Sequence, residues 1–233
     1  MLSGIDISHH NSNFKDPACI CKYDFVILKA TEGRGYKDTY LKNYMNVLTS
    51  SDKRPLIGFY HFARPEINSN PWDEANNFLS VVNRYLDLKP VLALDVEARA
   101  LTVPFLDDWC VDFCTIIYQN TGIKPLIYCS SSETWRFKKC AAFGSGLWAA
   151  KWSDKISKKD IKPWDFWAIW QNSSSYILSG VRVDTDVFNG TREQFLKYGE
   201  DSLNGKENDQ ASNDSASGGA LQERKNRRIK KTK

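Results

Sequence analysis

The sequence has no run of about 18 or more apolar residues, so no transmembrane segment is expected. Its opening, MLSGIDIS, lacks a basic stretch followed by a long apolar one, and no signal peptide is expected there. Histidine is scarce, with three residues in 233, and the six cysteines form no CxxC pair. Cys110 and Cys114 stand four apart in a helical pattern without partners at zinc spacing, so no metal site is expected and the thiols read as buried and inert. A chain of this length does not need disulfides to hold its core. No Gly-rich phosphate loop follows the first β-rich segment, which reads DISHHNSN, and this removes the main support for an open dinucleotide-binding sheet. An excess of one charge is also missing from the body. Of the formal +4, residues 201–233 hold eight Lys/Arg against five Asp/Glu, so the first 200 residues are close to neutral and offer no nucleic-acid groove.

Short β-rich segments are plentiful. Eight recur, at 3–8, 25–32, 55–63, 91–97, 125–130, 147–152, 166–172 and 181–188, several of them nearly continuous apolar runs of the kind buried on both faces. Helical patterns separate the early ones: 37–50, a helix opened by Asn70-Pro71, 104–120, and a fourth after the capping box Ser130-x-x-Glu133, with a single turn near 17–21. The later strands lie about a dozen residues apart, too close for crossover helices. This asymmetry predicts an α/β fold, a TIM-like barrel thinned in its second half. The domain reading is a barrel over 1–199 and a disordered basic tail over 200–233, where aromatics stop and Ser, Asn, Gly and then Lys/Arg take over.

Polar residues gather at the strand ends, where a barrel carries its chemistry: Asp6, Lys29 and Glu32, His61 and Arg64, Asp95 and Glu97, and Asp184 and Asp186. Alternation puts Ala93, Asp95 and Glu97 on one face and Leu92, Leu94 and Val96 on the other, so the carboxylates face the barrel mouth. Closure brings the first and last strands together, and with them Asp6 and Asp184. Carboxylates roughly 6–7 Å apart at their bases in a partly dry mouth push each other's pKa values apart, which supplies one acid and one anion. Glycoside hydrolysis needs that pair. The competing reading is a structural ion-pair cluster of Asp95 and Glu97 with Lys29 or Arg64. Lys29 reads as a charge partner, not a Schiff-base nucleophile, and Cys129 lacks the partners of a cysteine nucleophile. Five tryptophans between Trp148 and Trp170, with Tyr60 and Tyr128 on earlier strands, fit a carbohydrate groove, since their faces stack on sugars and their polar tips reach hydroxyls.

Residues 3–190 resemble the family 25 glycoside hydrolases, the Chalaropsis-type lysozymes, through eight blocks in order: GIDISHHN, FVILKATEG, GFYHFARP, PVLALDVE, PLIYCSS, LWAAKW, FWAIWQNS and VDTDVFNG. The resemblance implies a flattened barrel of five β/α units followed by three β-strands with few helices. It implies an N-acetylmuramidase that cuts the β-1,4 bond between N-acetylmuramic acid and N-acetylglucosamine in peptidoglycan, without a cofactor. By motif, Glu97 corresponds to the general acid and Asp95 to the residue that stabilises the reacting group. Asp6 and Asp184 correspond to the other acids of the mouth. Tyr60 corresponds to a lining aromatic, and Lys29, Tyr128, Trp148 and Trp170 are expected to bind substrate beside it. Two positions depart from the pattern: Ser12 stands where glycine is common, and DTD replaces the usual D-x-N, so Asp186 is expected to add negative charge near the mouth. The expected partner is the peptidoglycan glycan strand, met by a monomer at the cell wall after phage-type release or loss of a leader. The basic tail is a candidate for docking to anionic wall polymers. A barrel glycosidase for chitin, or a silent glycan-binding barrel, are the alternatives.

Overall fold

The computed structural model describes residues 1–200, and residues 201–233 of the expected tail lie outside the described residues. Nine strands run in the order β1 (Leu2–Ile7), β2 (Phe25–Glu32), β3 (Tyr36–Lys37), β4 (Leu56–Phe62), β5 (Val91–Asp95), β6 (Leu126–Ser130), β7 (Leu147–Ala150), β8 (Ile169–Leu178) and β9 (Val181–Phe188). Neighbour by neighbour, β1, β9, β8, β7, β6, β5, β4 and β2 follow one another, and β2 pairs back to β1, so eight strands close a barrel. The two-residue β3 is an outer hem on β2. All barrel pairings are parallel except those of β9, which is antiparallel to both β8 and β1.

Helices α1 (Leu41–Ser50), α2 (Pro71–Val82), α3 (Leu106–Thr121) and α4 (Lys138–Phe143) follow β3, β4, β5 and β6. The first connection holds two 3-10 helices, His9–Asn11 and Pro17–Lys22, the second capped by Asp16, so of the five expected β/α units the first has only these tighter turns. The helix expected over 37–50 begins at Leu41, because Tyr36 and Lys37 are drawn into pairing with β2. Residues 173–178, expected as a loop, continue β8 into a hairpin. Ser179 and Gly180 both take positive φ (48° and 87°), the geometry of a two-residue turn whose twist suits the flanking strands.

Strand alternation divides the core in two. Val26, Leu28, Leu92, Leu94, Leu147 and Ala149 face the helices. Phe25, Ile27, Ala93, Leu126, Trp148, Ile169 and Phe188 fill the barrel interior. Gly4 faces inward where the Phe25 ring leaves no room for a Cβ. Helix α5 (Arg192–Tyr198), not foreseen from the sequence, closes the floor: Phe195 packs on Phe25 and Phe188 with ring centroids 5.2 and 5.1 Å apart. Its signal was present in the capping box Thr191-x-x-Gln194. With the floor sealed, the polar inward residues sit at the opposite end. All six cysteines are buried free thiols. Among the described residues no helix is long and apolar enough to cross a membrane.

Candidate active site

A cleft of about 690 Å³ opens at the end of the barrel where the parallel strands finish, and Asp6, Lys29, Tyr60, Asp95, Glu97, Tyr128, Trp148 and Asp184 all line it. All but Glu97 arrive from inward positions on the barrel strands, next to the apolar interior. Asp6 of β1 is the register partner of Asp184 of β9, as barrel closure requires. Glu97 lies two residues past β5 in extended conformation (φ −146°, ψ −174°), and its side chain does not cap the helical turn that follows. Ala98, next along, is forced to φ 52°. A left-handed alanine costs about 1–2 kcal/mol, and here it turns the chain away so that Glu97 stays at the lip of the cleft.

The two carboxylates at the end of β5 differ in depth. Asp95 is 7% exposed, and its Oδ1 is buried without a hydrogen-bond partner. Burial, then the charges of Glu97 and Asp6, hold its carboxyl well above the usual range. Glu97 is less buried; burial, then the charge of Asp184, raises it, with Lys29 pulling the other way. Asp6 is pushed up to about 7 by burial and by Asp184. Burial also raises Asp184. The mouth therefore retains protons at pH values where ordinary carboxylates have lost them.

The expected ion-pair alternative does not match the contacts. Lys29 Nζ donates to Glu32 Oε2 at 2.7 Å, and Arg64 binds Glu32 and Glu66, so neither cation is paired directly with Asp95 or Glu97. Tyr60 and Tyr128 wall the cleft, and burial raises both phenols, leaving them neutral donors.

Gln171 of β8 was missed. Its Nε2 donates to Asp6 Oδ2 (2.8 Å) and Asp184 Oδ2 (3.2 Å), while its Oε1 accepts from the Tyr128 hydroxyl (3.0 Å) and Trp152 Nε1 (3.0 Å). A lone glutamine carries no sequence signal, but alternation from the inward Ile169 would have placed it. The same alternation sends Trp170 outward, so its expected place in the groove is corrected: it does not line the cleft, its Nε1 donates to Lys151 O, and it packs edge-on against Trp167. Of the five tryptophans only Trp148 and Trp152 reach the cleft. Asp186 also needs correction. It is 2% exposed and lies below the cleft rather than in it, because β9 runs downward and later residues sit deeper. Among the described residues no cluster of His, Cys, Asp and Glu could hold a metal ion.

A closed barrel with unequal carboxylates at the end of one strand, further acids opposite and aromatic walls defines a barrel glycoside hydrolase. The chain belongs to the glycosyl hydrolases family 25, whose family model matches residues 5–181. It is 29% identical over 216 residues to Lysozyme M1 of Streptomyces globisporus, covering 84% of this chain and 70% of that protein. It is 24% identical to the N,O-diacetylmuramidase of Chalaropsis sp., over 84% of this chain and 98% of that protein. Among solved structures, a family GH25 lysozyme from Aspergillus fumigatus superimposes with a TM-score of 0.70 at 29% identity, covering 85% of this chain and 99% of that one. A muramidase from Acremonium alcalophilum gives 0.72 at 25% identity, over 85% and 99%.

Proposed function

We propose that this glycoside hydrolase is a muramidase of the bacterial cell wall, cutting the β-1,4 bond between N-acetylmuramic acid and N-acetylglucosamine in peptidoglycan. The observation that carries the reading is the pair at the end of β5: a deep carboxyl, Asp95, with an unpartnered oxygen, and a shallower one, Glu97, at the cleft lip. The names of its relatives, lysozyme and muramidase, support the same substrate. Glu97 gives its proton to the leaving glycosidic oxygen, and Asp95 opposes the positive charge that grows at the sugar ring. In the free protein the deeper Asp95 is the better proton holder, since desolvation weighs most there. A sugar whose oxygen meets Glu97 and whose developing cation lies over Asp95 moves that preference to Glu97. Asp6 and Asp184 hold the substrate from the facing wall, Lys29 from beside it, and Tyr60, Tyr128 and Trp148 supply the sides.

Purified protein acting on purified peptidoglycan is expected to release reducing ends terminating in N-acetylmuramic acid, and chitin oligomers are expected to persist. Turnover of chitin alone would move the substrate to another N-acetylated glycan, and binding without release would make the barrel a lectin. A second outcome concerns pH. Asp184 helps to raise Glu97, so Asp184→Asn lowers the pKa of Glu97 and leaves less of it protonated at any given pH. The alkaline limb of kcat/KM on peptidoglycan should then move to lower pH. A limb that stays in place or moves up would separate Asp184 from the proton donor.

A further inference from the structure

Beneath the cleft lies an acid that the chemistry above leaves unused. Asp186 faces Gly4 of β1 on one side and Gln171 of β8 on the other. Its Oδ1 accepts from Trp148 Nε1 of β7 at 2.8 Å, and its Oδ2 is buried with no donor. The groups around it are Asp6 from β1, Gln171 from β8, Trp148 from β7 and Asp184 on its own strand; Asp95, Glu97 and Lys29 line the cleft above. The Gln171 amide has already committed both N–H groups, to Asp6 and Asp184. Gly4 has no side chain to offer. The group left for Asp186 Oδ2 is Asp6, whose carboxyl and that of Asp186 act on each other's protonation and would share a hydrogen bond. Two carboxyl groups can do so only if one of them carries the proton. Asp6 is half-buried at the cleft and accepts from Gln171, which favours the anion there. Asp186 is cut off from water and holds one indole N–H, which favours the acid.

We propose that Asp186 is a positioning residue, a buried carboxylic acid that accepts from Trp148 and donates its own proton to Asp6, fixing the Asp6 carboxylate beneath the substrate. This rests on the reading of Asp6 as a substrate-facing acid. The departure at this position therefore adds a hydrogen-bond donor below the mouth instead of a charge within it. An amide fits the same two contacts, since its carbonyl can accept from Trp148 and its N–H can donate to Asp6. A leucine fits neither.

The experiment pairs Asp186→Leu with Asp186→Asn. Leucine should lower kcat on peptidoglycan about tenfold or more, with a smaller change in KM. It should also move the acid limb to higher pH, because Asp6 loses a donor that holds its pKa down. Asparagine should restore kcat to within about threefold of wild type. A readout without substrate accompanies it. The folded wild type keeps a proton on Asp186 that the unfolded chain releases near pH ~4. Its stabilising contribution is complete below that pH and is lost as pH rises. The melting temperature of Asp186→Asn minus that of wild type should therefore grow by at least about 3 °C between pH ~4 and ~8. A flat difference, or an asparagine variant as impaired as the leucine one, would overturn the proposal. If the leucine variant does not fold, the asparagine melting series still decides. If wild type proves inactive on peptidoglycan, the substrate reading fails while the melting series continues to test the proton on Asp186.

Discussion

Replacing Glu97 with glutamine should lower kcat on peptidoglycan by about 10²- to 10⁴-fold, the range for loss of a general acid. The amide keeps the shape and polarity of the side chain but has no proton to give. KM should change little, because in the proposed reading Glu97, at the lip, meets the leaving oxygen rather than the body of the sugar. The residual activity should also lose its alkaline limb, since that limb is the deprotonation of a carboxyl raised by burial and by Asp184. A reducing-end assay across pH checks both points. Wild-type-like kcat would remove Glu97 from the proton-donor role, and an unchanged alkaline limb would assign that limb to another acid.

Asp95→Asn should cost about 10²-fold or more in kcat, as expected when charge stabilisation is removed from a preorganised site. It should also raise stability at neutral pH. In the wild type, folding holds the Asp95 carboxyl well above its ordinary range, chiefly by burial, so its contribution is complete in acid and is lost as pH rises. The amide has no proton to lose, and its N–H can serve a position now occupied by an unpartnered oxygen. Thermal melts near neutral pH should show the variant above wild type while the reducing-end assay shows it nearly inert. Loss of both stability and activity would make Asp95 a structural residue. A gain in one and loss in the other is the signature of strain kept for function.

Much of this site could be read before the fold was known, and the reason is periodicity. Strand alternation alone set Asp95 and Glu97 on the inward face, and closure alone set Asp6 beside Asp184. The failures have separate causes, and the first is direction. Treating every strand as running toward the mouth put Asp186 at the rim, whereas β9 is antiparallel and carries it downward. Ending the preceding strand at residue 172 hid the hairpin, since NSSS reads as loop while Ser173 still pairs with Thr185 and Tyr176 with Val183 of β9. Trp170 was drawn into the groove by composition, although its neighbours Ile169 and Gln171 own the inward face. Gln171 shows the other limit: alternation could set it on the inward face, but nothing in a single sequence marks an uncharged side chain as joining four groups.

The antiparallel last strand also governs when the enzyme can exist during its own synthesis. Asp95 and Glu97 leave the ribosome midway, but the wall opposite them is made by β1 and β9, the first and last strands of the barrel. Until residues 181–188 emerge, β1 and β8 each present an open edge and Asp184 is absent. A nascent chain, or a product truncated before β9, would thus hold Asp95 and Glu97 without the wall that faces them. It would also expose two strand edges prone to pairing with other chains. Delivery of the final strand seals those edges and completes the acidic mouth in a single event.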